Sequence, residues 1–299
     1  MKYYQCPLVV FVFLLFVGFG CHAQAPDFNK QNAWDYLIKQ CDLGYRHPGA
    51  EGHKECLNFM VTGLKQFADT VVKQPFPFTD PRTGQSYMLN NVIASFGKQD
   101  KRILLCAHWD TRPVADHDPD PANHSKPVMG ASDGASGVAV LLEMARIFKE
   151  NPPPVGVDIV LFDGEDSGVD GDHDSWCIGS RYFAKNKQSS YWPQYAILLD
   201  LIGDSDLQLP VEGFSQRYAP AIVDQVWSKA SELGLYQFTR QVQYEIYDDH
   251  VELLKVGIPT VDIIDLDYPY WHTVEDTPDK CSAESLGVVG TLLVHLIYD

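Results

Sequence analysis

The feature that most constrains the fold is a set of four short, nearly continuous apolar runs. They are RILLCAH at 102–108, VDIVLFD at 157–163, QYAILLD at 194–200 and PTVDIID at 259–265. Runs of this length and character are typical of central strands that are covered on both faces. Stretches with helical apolar spacing lie at 136–150, 219–234, 248–257 and 282–298. The alternation predicts one α/β domain, an α/β/α sandwich around a mixed, mainly parallel central sheet.

The part of the chain before the first run predicts two helices and a hairpin. Residues 26–69 contain two stretches with helical spacing, separated by the turn YRHPGAEG. Residues 70–78 and 87–97 are rich in β-branched and aromatic residues and flank the turn DPRTGQ. This pattern indicates an antiparallel hairpin at an edge of the sheet.

The N-terminus resembles an export signal rather than part of the fold. Lys2 is followed by the apolar segment PLVVFVFLLFVGFG, which has the length of a signal-peptide core and is short for a bilayer span. We expect residues 1–23 to be the signal and residues 26–299 to be the catalytic domain. Cleavage after Ala23 would expose Gln24, whereas a lipoprotein signal would end before Cys21. Both alternatives place the mature protein outside the cytoplasm, in the periplasm or lipid-anchored facing it.

Charge and cysteine spacing exclude several functions. The chain has 40 acidic residues against 23 Lys plus Arg, which gives a formal charge of -17. This charge repels nucleic acid and anionic lipid, so we expect no nucleic-acid partner and no membrane contact other than a lipid at Cys21. The 7 cysteines have no CxxC spacing, which argues against a structural zinc site. An exported protein could contain a disulfide, but the spacing indicates no particular pair.

Polar residues follow the apolar runs where the predicted strands end. His108 and Asp110 follow the first run, Glu165 and Asp166 the second, and Asp200 ends the third. In open α/β sheets, ligands bind at the carboxyl ends of the strands, so these side chains are expected to share one site. Two further candidates are Asp133, in the turn GASDGASG, and His272, in the late loop YWHT.

The residue types favour a catalytic zinc site. Histidine with Asp and Glu, and without thiolates, suits a zinc ion that has three protein ligands and an open position. Each residue alone also has an ordinary structural explanation; Asp133, for instance, could cap the helix that starts near Ser136. Their joint occurrence at successive strand ends favours the metal. In the pair Glu165–Asp166, an extended backbone would point the two carboxylates to opposite sides, so one could bind metal while the other transfers protons.

The chain closely resembles the zinc-dependent exopeptidase superfamily from about residue 40 to its end. The motifs that carry the resemblance are AHWDTRP, GASDGASGVAVLLEMAR, LFDGEDSG, GSRYFA, LLDLIGD, DDHVELLKVGIPTVDII and WHTVEDT. The superfamily contains di-zinc aminopeptidases and, on the same fold, the animal-type glutaminyl cyclases. The resemblance implies that Asp133, Asp166 and His272 bind zinc. It implies that Glu165 is the general acid and base.

The resemblance leaves two activities open, and local context favours the cyclase. In the aminopeptidases, His108 and Asp200 would complete a second zinc site, whereas one zinc is expected in a cyclase, with Asp200 in a hydrogen-bond network. Two features resemble those of the cyclases: two acids precede His250, and a Trp directly precedes His272. One departure is Asp166, where the cyclases have Glu; the side chain is shorter by one methylene but can still bind zinc.

The resemblance also implies a substrate and a pocket. Substrates would be peptides or proteins with an N-terminal glutamine, which a glutaminyl-peptide cyclotransferase closes to pyroglutamate with loss of ammonia. Asp248 and Asp200 would assist Glu165. The residues expected to form the substrate pocket are Trp271, Tyr268, Tyr247 and Ile264. A non-enzymatic binding protein on an inactive peptidase fold is the remaining alternative, and such a protein would be expected to have lost Glu165 or a ligand.

Overall fold

The computed structural model describes residues 1–3 and 25–299, so the expected signal segment lies outside the described residues except at its first three positions. The helices are α1 (Lys30–Asp42), α2 (Glu51–Phe67), α3 (Ala135–Glu150), α4 (Ile178–Asn186), α5 (Gly213–Tyr218), α6 (Pro220–Glu232), α7 (Asp249–Lys255) and α8 (Ala283–Tyr298). The strands are β1 (Thr70–Thr79), β2 (Ser86–Phe96), β3 (Arg102–His108), β4 (Gly156–Phe162), β5 (Ala196–Asp200), β6 (Leu209–Glu212), β7 (Phe238–Tyr244) and β8 (Thr260–Ile264).

Six strands form the central sheet in the order β1-β2-β4-β3-β5-β8. The four strands β4, β3, β5 and β8 pair in parallel. The β1–β2 hairpin is antiparallel and joins the sheet through an antiparallel pairing of β2 with β4, so β1 is an edge strand. The mixed, mainly parallel sheet and the edge hairpin are therefore confirmed.

Alternate residues of the central strands pack against different helical layers. In β3, Leu105 belongs to the large core that includes residues of α1, α3 and α8. Its neighbours Leu104 and Cys106 belong to a second cluster on the opposite face, together with residues of α4 and α7. Both faces of β3 are thus buried, which explains why its sequence is a continuous apolar run; each fully buried Leu contributes roughly 1.5–3 kcal/mol. The α/β/α sandwich is confirmed.

A smaller element was not expected from the sequence. Strands β6 and β7 form a separate two-stranded parallel sheet, and the helices α5 and α6 connect the two strands. The β6–β7 pair lies beside β8, which it contacts through β6. It therefore borders the end of the sheet that carries the site residues described below.

Two further observations concern the described part of the chain. Its five cysteines are all buried and unpaired: Cys41, Cys56, Cys106, Cys177 and Cys281. In residues 1–3 and 25–299, none of the helices has the length and apolar character needed to cross a bilayer.

Candidate active site

The carboxyl ends of the parallel strands bring the predicted site residues to one edge of the sheet. His108 is the last residue of β3 and Asp200 the last residue of β5. Glu165 and Asp166 follow the end of β4, and Asp248 directly precedes α7. These residues gather because parallel strands end on the same side of a sheet, as the sequence pattern predicted.

Asp133, Asp166 and His272 form a compact buried group. One ligand atom from each lies within 4.8 Å of the other two. Nε2 of His272 is 3.0 Å from Oδ1 of Asp166 and 3.6 Å from Oδ2 of Asp133. Asp133 does not cap the following helix, because α3 begins after Gly134 and has no side-chain cap. The alternative of a simple helix cap is thereby excluded for Asp133.

Two buried carboxylates fix the backbone of this group. Asp276 accepts hydrogen bonds from the N–H groups of Ser132 at 2.8 Å and Asp133 at 3.1 Å. Asp110 accepts the N–H groups of Glu165 at 3.1 Å and Asp166 at 3.2 Å. These acids are not ligand candidates in the group; they orient the backbone that carries the candidates.

The paired acids Glu165 and Asp166 differ from the arrangement expected for an extended backbone. Strand β4 ends at Phe162, and Gly164, with φ of +75°, reverses the chain before Glu165. Both carboxylates line the same cavity rather than opposite sides of a strand. They nevertheless have different neighbours: Asp166 contacts His272, whereas Glu165 contacts Cys177. The division into two environments is produced by the turn, not by strand alternation.

A second group shares Asp133 with the first. Nε2 of His108 lies 3.0 Å from Oδ1 of Asp133 and 3.1 Å from Oδ1 of Asp200. His108, Asp133 and Asp200 also present ligand atoms within 4.8 Å of one another. The donor set is therefore compatible with one metal or with two metals bridged by Asp133.

The first group fits a divalent cation by its chemistry. Among the described residues, Oδ2 of Asp133 and Oδ2 of Asp166 are buried without a hydrogen-bond partner. Buried carboxylate oxygens without partners are costly unless something else satisfies them, and a cation does so. With the His272 nitrogen they supply the mixed N and O donors that a catalytic zinc site uses.

Electrostatics within the group favour ligand-competent forms at two of its three positions. Burial acts to raise the pKa of Asp166, but His272 and Arg112 outweigh it and lower that pKa to about 2. Burial lowers the pKa of His272, although the charge of Asp166 acts to raise it. Burial and the Asp166 charge raise the pKa of Asp133 well above its usual range. A cation beside Asp133 would reverse that effect, since a bound ion is the largest charge in such a site.

Glu165 occupies the environment of a general base. Its carboxylate, the Cys177 thiol and the Asp248 carboxylate all have atoms within 4.8 Å of one another, and the Cys177 Sγ–Glu165 Oε1 distance is 3.5 Å. Burial, followed by the charge of Asp166, raises the pKa of Glu165 well above its usual range. A carboxyl whose pKa is raised toward the working pH can both accept and donate a proton.

A cavity of about 320 Å³ opens onto these groups. Trp271, Tyr247 and Ile264 line it, as expected, together with Trp176. Tyr268 lies behind this lining: it is 2% exposed, and its hydroxyl donates to Asp276 at 2.8 Å. The expectation that Tyr268 forms part of the wall is therefore corrected, because the Asp276 carboxylate draws the phenol inward.

Backbone strain is concentrated at this site. Among the described residues, the non-glycine positions with positive φ are Cys177 at +55°, Leu201 at +51° and His272 at +55°. Cys177 contacts Glu165, Leu201 follows Asp200, and His272 is a ligand candidate. Such conformations cost about 1–3 kcal/mol each and cluster where function requires a fixed geometry.

Sequence reasoning missed two buried residues beside the site. The spacing of the cysteines indicates no structural role for Cys177, yet its thiol contacts Glu165, the candidate base. Asp249, next to Asp248, is fully buried, and in the described part of the chain both of its carboxylate oxygens lack hydrogen-bond partners. The two adjacent acids before His250 are the sequence signal that could have identified Asp249, but the resemblance implies a role for Asp248 alone.

Comparisons with known proteins agree with this geometry. The model of peptidase family M28 matches residues 91–297, more than half of the chain. A leucine aminopeptidase precursor from Bacteroides thetaiotaomicron is similar, with 36% identity, a TM-score of 0.90, and coverage of 92% of this chain and 99% of that one.

Two cyclases are also similar to the chain. A glutaminyl cyclase from Bacteroides thetaiotaomicron, solved with N-acetylhistamine, has 35% identity and a TM-score of 0.89, covering 92% of this chain and 99% of that one. The glutaminyl-peptide cyclotransferase of Boiga irregularis is 26% identical over 285 residues, which span 83% of this chain and 75% of that protein. Because the family model matches more than half of the chain, the chain belongs to peptidase family M28.

Proposed function

We propose that this protein is a glutaminyl-peptide cyclotransferase that closes the N-terminal glutamine of peptides and proteins to pyroglutamate and releases ammonia. The observation that carries the proposal is the placement of Glu165 and Asp248 together in a small cavity that also receives Asp133, Asp166 and His272. The similarity to cyclases of both bacterial and animal origin supports it.

The reaction requires one proton to move between two nitrogens of the same residue. The substrate α-amine attacks the side-chain amide carbon, a C–N bond closes the ring, and the original amide C–N bond breaks to release ammonia. Glu165 accepts the proton of the attacking amine and donates it to the departing nitrogen. Burial and the charge of Asp166 raise the pKa of Glu165, which makes its carboxylate a stronger proton acceptor.

Asp133, Asp166 and His272 would hold the zinc ion, which supplies polarisation of the amide carbonyl and stabilisation of negative charge on its oxygen. Asp248 lies close enough to Glu165 to accept a hydrogen bond from the departing amide nitrogen. Trp271, Tyr247 and Ile264 line the cavity, where they would contact the glutamine side chain and displace bulk water. Exclusion of water favours attack by the amine over hydrolysis of the amide.

We propose one zinc ion per chain, bound by Asp133, Asp166 and His272. Asp200 then stays in the hydrogen-bond network with His108, whose Nε2 lies 3.1 Å from its carboxylate. The shorter Asp166, in place of a Glu, is supported as a ligand by its contact with His272, at 3.0 Å.

A second candidate function is hydrolysis of N-terminal residues by a di-zinc aminopeptidase. The group of His108, Asp133 and Asp200 favours it, because these residues could hold a second ion. The similarity to a solved leucine aminopeptidase precursor also favours it.

The two functions differ in their products. We expect the purified protein to convert a Gln-Ala peptide to a product lighter by one ammonia, with stoichiometric ammonia release, and to leave aminoacyl-nitroanilides intact. Mass spectrometry and an ammonia assay would measure the first reaction, and absorbance the second. Release of free amino acid without ring closure would instead establish the aminopeptidase. A peptide with N-terminal Glu in place of Gln serves as the control.

We propose that the protein is exported, to the periplasm or to a lipid anchor facing it. Ala25 and Phe28, which follow the expected signal, pack against the main core. If cleavage follows Ala23, the mature chain begins with Gln24, which is itself a substrate of the proposed reaction.

We therefore expect the exported wild-type chain to carry pyroglutamate at Gln24. Intact-mass analysis of protein recovered from the periplasm would show the loss of one ammonia, and the Glu165→Gln variant would show slower or incomplete loss. Free Gln24 in the wild type, or an acyl group on Cys21, would contradict this expectation.

A further inference from the structure

Residues on both sides of Asp248 contact the same carboxylate, that of Glu212. The N–H of Ile246, two residues before it, donates to Oε1 of Glu212 at 3.2 Å. Nε2 of His250, two residues after it, lies 3.0 Å from Oε2 of the same Glu212. Both ends of the short segment that carries Asp248 therefore converge on Glu212.

Glu212 is itself fixed in the small β6–β7 sheet. It is the last residue of β6 and is fully buried. Its carboxylate also accepts the N–H groups of Phe214 at 2.8 Å and Ser215 at 2.7 Å, at the start of α5. Burial acts to raise the pKa of Glu212, but these hydrogen bonds and His250 outweigh it and lower that pKa, so Glu212 is ionised. An ionised carboxylate only accepts, and Nε2 of His250 therefore donates.

His250 connects this anchor to the central sheet. Its side chain is fully buried, and Nδ1 faces Oδ2 of Asp262 on β8 at 3.4 Å, without a hydrogen bond to it or to another of the described residues. The imidazole thus lies between an acid of the small sheet and an acid of the large one. A polar side chain enclosed on both sides in this way has little freedom, and it restrains the first turn of α7.

Asp248 needs such restraint because its own neighbourhood is unfavourable to a carboxylate. Burial and the charge of Asp200 raise the pKa of Asp248 to about 6. Its Oδ2 has no hydrogen-bond partner among the residues that the structure describes. Its other oxygen accepts the N–H of Asp249. Charge repulsion would displace this side chain from the cavity if its backbone could move.

We propose that Glu212 and His250 are positioning residues that hold the carboxylate of Asp248 in the cavity beside Glu165. The inference rests on the proposed function, in which Asp248 receives the departing amide nitrogen. Neither residue lines the cavity, so both act through Asp248. A displacement of about 1 Å in such a group can reduce the rate by roughly 10²-fold.

The test compares Glu212→Gln with Glu143→Gln, a matched control on α3. Glu143 is also fully buried and also accepts four hydrogen bonds, from Asn29, Asn32 and twice from Arg146. We expect Glu212→Gln to lower kcat for a Gln-Ala peptide roughly 10- to 100-fold, with a smaller change in KM and unchanged zinc content. Glu143→Gln should keep the wild-type kcat, although thermal unfolding shows both variants destabilised.

A second pair of variants keeps the proposal testable if Glu212→Gln does not fold. In His250→Gln the amide can still donate to Glu212, whereas His250→Leu fills the space without a donor. We expect His250→Gln to retain more of the wild-type kcat than His250→Leu at similar thermal midpoints.

Three outcomes would overturn the inference while leaving the cyclase standing. One is equal kcat in Glu212→Gln and Glu143→Gln. The second is equal kcat in the two His250 variants, and the third is a loss of kcat that follows only the folded fraction. A wild-type protein that forms no pyroglutamate would overturn the proposed function itself.

Discussion

Glu165→Gln is expected to lower kcat for glutamine cyclisation by roughly 10²- to 10⁴-fold, the usual contribution of a general acid and base. The amide keeps the size of the side chain but cannot accept the proton of the attacking amine. Asp133, Asp166 and His272 form their group without Glu165, so the zinc content should stay at the wild-type level. Steady-state kinetics on a Gln-Ala peptide and metal analysis of the same preparation would measure both effects.

The control for this substitution is again Glu143→Gln, which makes the same chemical change at a buried position on α3. It should cyclise glutamine at the wild-type rate. A Glu165→Gln variant with more than about one-tenth of the wild-type kcat would remove Glu165 from the proton transfer, since that loss is below the range of a general base. Loss of zinc together with activity would mean that Glu165 acts as a ligand.

The sequence predicted the architecture and most of the site because both depend on local patterns. The run RILLCAH is apolar on both faces since β3 is covered by helices on both sides. The residues Asp133, Asp166 and His272 are far apart in sequence, but each follows a recognisable apolar run or turn. Parallel strands bring the strand-end residues His108, Glu165 and Asp166 to one edge of the sheet, whereas the group of Asp133, Asp166 and His272 is implied by the resemblance to the zinc-dependent exopeptidases.

The remaining features depend on contacts that no local pattern encodes. Glu212 contacts Ile246 and His250, on either side of Asp248, from the separate β6–β7 sheet, and the sequence of β6 is only four residues long. Tyr268 was expected in the cavity wall, but its hydroxyl turns to Asp276. The division of labour between Glu165 and Asp166 was expected from strand alternation, whereas a turn at Gly164 and the carboxylate of Asp110 produce it.

The charge around the cavity explains why a cation belongs in it. The acids that line the cavity are Asp133, Glu165, Asp166, Asp170, Asp200, Glu245 and Asp248. The lining includes no Lys or Arg among the described residues, although from outside it Arg217 pairs with Glu245 and Arg112 lowers the pKa of Asp166. Several of these carboxylates are buried, and burying like charges together is unfavourable without compensation. Metal binding should therefore contribute to folding stability as well as to catalysis.

Removing the metal is expected to abolish cyclisation and to lower the thermal unfolding midpoint. A ligand at about a thousand times its Kd stabilises the native state by about 4 kcal/mol, and the stabilisation disappears with the ligand. Chelator treatment of the wild type should lower the midpoint, and added Zn²⁺ should restore both midpoint and activity. Metal analysis before treatment should give one zinc per chain; two would favour the aminopeptidase arrangement with His108 and Asp200.

Asp133→Asn is expected to abolish cyclisation and to lower the thermal unfolding midpoint without any chelator, because Asp133 belongs to both candidate ligand groups. Its zinc content should be low, and its unfolding midpoint should not respond to chelator. The matched control is Asp158→Asn, which replaces another buried aspartate, one that is paired with Arg102 on β3 rather than with the site. That control is expected to lose stability yet bind zinc and respond to chelator as the wild type does. An Asp133→Asn protein with wild-type zinc content would show that the metal is held elsewhere, and the proposed mechanism would fail with it.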